Sequence, residues 1–233
     1  MIAAMISVVI PTFNAESVLG TTLSALVPAS VQGVVREVVI CDGGSRDGTG
    51  VIAEAAGAYF IESPKGRGTQ LAAGARKARF DWLLFLHADT MLETGWEQEA
   101  NAFIDRVESG EWPLAAAAFQ FALDDFGIKP RMLETMVGLR CSLLRFPYGD
   151  QGLLIPRRLY NELGGYSAFP FMEDVDLVRR LGRKRLVMLR SNAITSAIRY
   201  RRDGYVSRSL RNFACLSLFY LRVSPEKLQR LYG

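Results

Sequence analysis

Apolar positions in the first ninety residues alternate between two periods. Ile6-Ser7-Val8-Val9-Ile10 and Glu37-Val38-Val39-Ile40-Cys41 are short β-branched runs, closed by Pro11 and by Asp42-Gly43-Gly44. Such runs bounded by turn residues are the pattern of buried strands. Ala58-Tyr59-Phe60-Ile61 and Trp82-Leu83-Leu84-Phe85-Leu86 complete a set of four. Between them, residues 16–26, 48–57 and 69–80 have helical length and spacing. Strands alternating with helices predict right-handed βαβ units and an α/β fold, with a mostly parallel central sheet flanked by helices.

Past Asp89 the regular alternation stops. Helices are expected over residues 94–109, 129–144, 173–181 and 205–221, and strands over 114–123 and 153–155. A turn is expected at Phe146-Pro147-Tyr148-Gly149-Asp150-Gln151-Gly152, and Ser224-Pro225-Glu226 opens a short last helix with a capping residue and a first-turn proline. No repeat or linker divides the chain, so one domain is expected over residues 1–233.

Composition agrees and narrows the class. At 233 residues, 49% apolar and 22% charged, the chain is neither disordered nor collagen-like nor a coiled coil. Cys41, Cys141 and Cys215 lie far apart without a CxxC pair, which argues against a disulfide framework or zinc site and fits a reducing, cytoplasmic setting. The first ten residues read as a strand and not as a signal peptide, and no apolar run approaches the ~18 residues needed to span a bilayer.

Charge is unevenly divided. Residues 179–211 hold eleven Lys or Arg against Asp203 alone, so this segment carries +10 of a net +4 and leaves −6 on the rest. A nucleic acid, an anionic membrane surface or a phosphorylated substrate would each suit it.

In open α/β sheets, ligands bind beyond the carboxyl ends of the strands. Asp42 sits there before two glycines, where a carboxylate can accept hydrogen bonds from a base or ribose, or cap its own turn with Asp47. Lys65 and Arg67, spaced by Gly66, form a two-cation loop suited to phosphate or to solvent. No P-loop and no GxGxxG motif is present. His87 and Asp89 are candidate metal ligands, Asp89 suiting Mg²⁺ or Mn²⁺; His87, the one histidine, equally suits a hydrogen-bonded place beneath the site. Glu173, Asp174 and Asp176 open a helix, where carboxylates favour the dipole, and one lining the strand ends would serve as a general base.

Taken in order, Pro11-Thr12-Phe13-Asn14 with Glu16, Asp42-Gly43-Gly44-Ser45 with Asp47-Gly48-Thr49, Lys65-Gly66-Arg67-Gly68, His87-Ala88-Asp89 and Glu173-Asp174 resemble the motifs of a family 2 glycosyltransferase of GT-A fold. Leu86-His87-Ala88-Asp89-Thr90 and Gly149-Asp150-Gln151-Gly152 are similar to those of the bacterial radical-SAM-associated subgroup. The resemblance implies a nucleotide-diphospho-sugar transferase with residues 1–92 as the nucleotide-sugar half, 93–200 as the acceptor half and 201–233 as a helical tail. It implies that Pro11, Thr12, Asn14, Glu16, Asp42, Gly43, Ser45, Lys65, Arg67 and Asp89 bind the donor, with a divalent cation, Mn²⁺ or Mg²⁺, on Asp89 and His87. Asp174, beside Glu173, matches the catalytic base of an inverting transfer of one sugar to an acceptor hydroxyl. His87 replaces the first acid of the DxD motif, and the QxxRW motif of processive synthases is absent.

The acceptor is unnamed by the sequence; phosphorylated and lipid-linked compounds both fit. A homodimer and a peripheral contact with the inner face of a membrane are further associations the chain allows. A sugar nucleotidyltransferase is the alternative enzyme, although its Gly-rich, Arg-containing signature after the first strand is missing. A basic nucleic-acid-binding module is the non-enzymatic one, poorly supported because few aromatics besides Tyr200 and Tyr205 accompany the cations.

Overall fold

The computed structural model describes residues 5–144 and 147–232, so Phe146 of the expected turn lies outside the described residues, as do 1–4, 145 and 233. Four parallel strands, β1 (Ile6–Thr12), β2 (Val35–Asp42), β3 (Tyr59–Glu62) and β4 (Trp82–Phe85), stand in the order β3-β2-β1-β4. They alternate with α1 (Glu16–Val31), α2 (Thr49–Ala55) and α3 (Arg67–Lys77). Because successive strand residues face opposite sides, Ile6, Val8 and Ile10 of β1 pack into one core with Leu19 and Leu23 of α1, and Val9 joins a second core with Leu71 and Ala75 of α3. Apolar residues on both faces are therefore required, which is why these strands read as unbroken runs. β3 is the exception: as the sheet edge it leaves Tyr59 and Phe60 exposed.

The second half extends the same sheet with mixed directions. β7 (Leu153–Pro156) runs antiparallel to β4, β6 (Ala116–Asp124) antiparallel to β7, β8 (Leu186–Ser196) parallel to β6, and β5 (Thr90–Leu92) closes the far edge against β8. The remaining helices are α4 (Trp96–Glu108), α5 (Ile128–Leu144), α6 (Arg157–Glu162), α7 (Glu173–Leu181), α8 (Ile198–Asp203), α9 (Tyr205–Tyr220) and α10 (Pro225–Tyr232). Among the described residues no helix is long and apolar enough to cross a membrane.

Two departures from the sequence pattern have physical causes. α1 continues past Leu26 through Pro28, because Ala29 in the last turn is fully buried against the core. The apolar pattern does not predict β8. Its apolar start is broken by Arg190-Ser191-Asn192, where the pairing with β6 shifts register. The backbone amides freed there donate to carboxylates from outside the sheet: Arg190 and Ser191 to Glu99, Asn192 to Glu93, at 2.8–3.0 Å.

β8 also disperses the basic segment. Residues 179–211 run through α7, β8, α8 and α9, and several cations are paired: Arg180 with Asp176, Arg185 with Glu162, Arg201 with Asp125 and Arg208 with Asp203, at 2.7–2.9 Å. A run in the sequence is here not one patch on the surface.

Candidate active site

The ends of β1 and β2 carry a self-contained polar knot. Asp42 Oδ1 accepts hydrogen bonds from the Thr12 hydroxyl (2.8 Å) and the Ser45 hydroxyl (2.5 Å), and Oδ2 from the Gly44 and Ser45 amides (2.9 and 2.6 Å). Burial alone would raise its pKa, but the Ser45, Thr12 and Gly44 donors hold it below the ordinary carboxylate value. With four donors, a carboxylate's accepting positions are filled. Asp42 thus organises the turn expected to receive a nucleoside. The neighbouring loops lock in the same way: Asn14, at φ 49, accepts from the Arg46 amide and donates its own amide to Ser45 Oγ, while Glu16 accepts from the Gly48 amide and Asp47 from the Glu16 amide. Gln70, buried on α3, donates to both the Thr12 and Cys41 carbonyls at 2.7 Å and accepts from the Gly66 amide. It lies against Gly43, where an added Cβ would come within 3.2 Å of its side chain.

Gly43, Gly44, Glu62, Ser63, Pro64 and Lys65 line a shallow depression beside this knot. At Gly66, φ 144, the chain reverses its exposure: the Lys65 ammonium points outward, 3.7 Å from the centre of the Phe13 ring, and Arg67 points into a second, deeper cleft. Gly68 makes this possible, since a Cβ there would lie 2.1 Å from the Ser167 carbonyl oxygen.

The cleft encloses about 770 Å³ including its open mouth, and Arg67, His87, Asp89, Asp150, Asp174 and Arg199 all face it. Thr195 at the end of β8 holds its floor, meeting the Thr90 hydroxyl at 3.0 Å and donating to the Asp150 carbonyl, and the Ser196 amide donates to the Asp89 carbonyl. Asp174 accepts from the Gly149 amide through Oδ2 (2.6 Å) and from the Val175 amide through Oδ1 (2.8 Å). Gly149 fills the space between the two chemical groups: a Cβ would stand 2.7 Å from His87 Nε2 and 3.0 Å from Asp174 Oδ2. Gln151 anchors that turn by donating to the Phe119 carbonyl at 2.9 Å.

Glu173, expected beside Asp174 as a catalytic carboxylate, stands elsewhere. It is fully buried, with Oε1 2.9 Å from Arg67 Nε, and does not reach the cleft. Burial pushes its pKa up to about 7 against the lowering by Arg67. Successive residues at a helix start point about 100° apart, so one of the pair faces the cleft and the other supports Arg67. His87 is half-buried, and its desolvation together with the Arg67 charge pushes its pKa down to about 4, leaving a neutral ring. The structure adds Asp150 to the residues expected at the site. Its Oδ1 is buried without a hydrogen-bond partner among the described residues, and burial pushes its pKa up to about 6 with Asp174 and Asp89 adding to the rise. Arg208 and Asn212 also line the cleft, so α9, expected to be a tail, is one of its walls.

Residues 7–118 match the profile of glycosyl transferase family 2. That stretch, a little under half of the chain, is a family 2 glycosyltransferase domain. This glycosyltransferase has the GT-A fold. It is similar to structures of glucosyl-3-phosphoglycerate synthase from Mycobacterium tuberculosis. One, in complex with Mn²⁺ and UDP-glucose, superposes with a TM-score of 0.55 at 21% identity, covering 82% of this glycosyltransferase and 70% of that chain. Others, with Mn²⁺, UDP and glucosyl-3-phosphoglycerate and with Mg²⁺ and UDP, give 0.54 at 20% identity over 82% of this chain and 71% and 70% of theirs. No curated protein matches the sequence.

For a divalent cation, the family 2 glycosyltransferase brings two donors to the cleft, the Asp89 carboxylate and the neutral His87 ring. Among the described residues no group of three or more His, Cys, Asp or Glu is arranged to hold a metal. Mg²⁺ and similar hard cations are commonly held by one or two protein groups together with substrate phosphates, and the pair fits such a shared site.

Proposed function

We propose that this glycosyltransferase moves one sugar from a nucleoside-diphosphate donor to an acceptor hydroxyl with inversion at the anomeric carbon. The observation that carries the reading is Asp174, a carboxylate oriented by two backbone amides and facing the same cleft as Asp89, His87 and Arg67. The donor's nucleoside would lie on the depression at Gly43 and Lys65, over the turn that Pro11, Thr12, Asp42 and Ser45 build, and its diphosphate would follow the chain across Gly66 toward Arg67. Mn²⁺ or Mg²⁺, held by Asp89 and His87, would supply neutralising charge for that diphosphate.

Asp174 takes the acceptor proton as the acceptor oxygen bonds to the anomeric carbon and the carbon–oxygen bond to the diphosphate breaks. Arg67, fixed by Glu173, offsets charge on the departing group. Arg199, exposed at the cleft, suits an acceptor that bears phosphate. Residues 1–92 would serve the donor and 93–200 the acceptor, with α9 completing the wall.

A thermal-shift screen of UDP-, GDP-, CMP- and dTDP-sugars with and without Mn²⁺ identifies the donor, and release of nucleoside diphosphate measures transfer. Asp174→Asn is expected to lower transfer about 10³-fold while the donor-induced shift persists. Equal loss of both would remove Asp174 from the role of base, and full turnover in EDTA would remove the cation.

A further inference from the structure

α5 and α9 are adjacent helices that each bury one side and leave an apolar stripe on the other. α5 packs inward through Leu133 and Val137 against Phe121 and Leu123. Its outward positions Ile128, Met132, Met136, Leu139 and Leu143, spaced by three or four residues along one face, are 59–78% exposed. α9 buries Cys215 and Phe219 against α7 and α10, directs Arg208 and Asn212 to the cleft, and leaves Val206, Leu210 and Phe213 exposed. Scattered apolar residues on a surface are ordinary, but two neighbouring stripes mark a binding face.

The surrounding charge decides the occupant. Residues 198–232 hold eight Arg or Lys against two acids, and since Arg201, Arg202 and Arg208 are paired with Asp125 and Asp203 and Arg199 faces the cleft, the charge at this face rests on the others. Arg222 and Lys227 are exposed beyond the end of α9, and Lys129 is exposed beside the α5 stripe. A second copy of the chain would bring the same sign of charge against itself, which costs energy across a symmetric interface. An anionic bilayer surface complements it and accepts an apolar stripe flanked by cations.

We propose that the α5/α9 face docks this glycosyltransferase on an anionic lipid surface, holding the mouth of the cleft at the headgroups. This rests on the exposed stripes and their charge, independently of the catalytic reading. The test is flotation of the full chain with vesicles of phosphatidylcholine alone or mixed with phosphatidylglycerol. Flotation is expected with the anionic vesicles and is expected to weaken with salt. The pairs Met132→Ser with Met136→Ser and Leu210→Ser with Phe213→Ser are expected to lower the bound fraction at least about tenfold with unchanged circular dichroism. Arg222→Glu with Lys227→Glu is expected to weaken binding and flatten its salt dependence. The proposal is overturned if the unaltered chain floats with neither vesicle, if the serine variants bind as well as it does, or if the chain is a dimer that those substitutions dissociate.

Discussion

The knot at the ends of β1 and β2 and the cleft beside it are both polar and both sit where the sheet delivers its strand ends, yet their hydrogen bonds are arranged oppositely. In the knot, Asp42, Ser45, Asn14, Glu16 and Gln70 satisfy one another. In the cleft, a buried Asp150 oxygen has no hydrogen-bond partner among the described residues, and Asp89 and Asp174 converge on open volume. A satisfied polar network holds a shape, whereas unsatisfied groups carry a desolvation cost that a ligand can relieve. The first region is scaffold for the second, and substitutions should separate the two roles.

The largest effect is expected in the cleft. Gly149→Ala places a methyl group against His87 Nε2 and Asp174 Oδ2, and displacing a catalytic group by about 1 Å costs ~10² in rate. kcat/KM should fall by that factor with little change in the unfolding midpoint; unchanged kinetics would move the reacting centre away from Asp174.

Asp42→Asn should do the reverse. Its amide nitrogen would face donors that need an acceptor, at a cost of about 1–3 kcal/mol in stability. Urea unfolding should show that loss, and donor KM should rise more than kcat falls. Retained stability with weakened donor binding would make Asp42 a ligand contact and dissolve the contrast.

The smallest effect concerns Glu173, behind the cleft. A carboxyl raised from 4.5 to about 7 in the folded state binds more protons than the unfolded chain between those values, so its contribution to stability is full below pH 4.5 and is lost as pH rises through about 7. His87, lowered from 6.5 to about 4, acts in the opposite direction over its own window. Glu173→Gln removes the first without the second. Melting midpoints of the variant should therefore decline less between pH 4.5 and 7 than those of the unaltered chain, by roughly 2–4 °C. Parallel curves would remove the buried charge from the account.

The sequence shows the knot far better than the cleft. β1, β2 and β4 stand out because strands buried on both faces must be apolar throughout, and their polar ends are then conspicuous. Asp174 and Asp89 are legible as acids in short motifs. The sequence does not separate Glu173 from Asp174, because adjacency does not tell which neighbour on a helix faces the cleft. Gln70 looks like any polar helix residue until the two carbonyls it bridges are seen. Thr195 and Arg199 depend on β8, whose register shift interrupts the apolar pattern. Asp150 had a signal in Gly149-Asp150-Gln151-Gly152, but only the fold brings that turn beside His87.

Gly68 sets an order in time. Its backbone lies directly on Ser167 and Phe169, about a hundred residues further along the chain. As the polypeptide leaves the ribosome, β1 to β4 and their knot can assemble from what has already emerged, since their partners are close in sequence. The cleft cannot exist until residues 167–212 arrive and close on α3. A nascent chain can therefore hold its scaffold while the cleft still waits for residue 212.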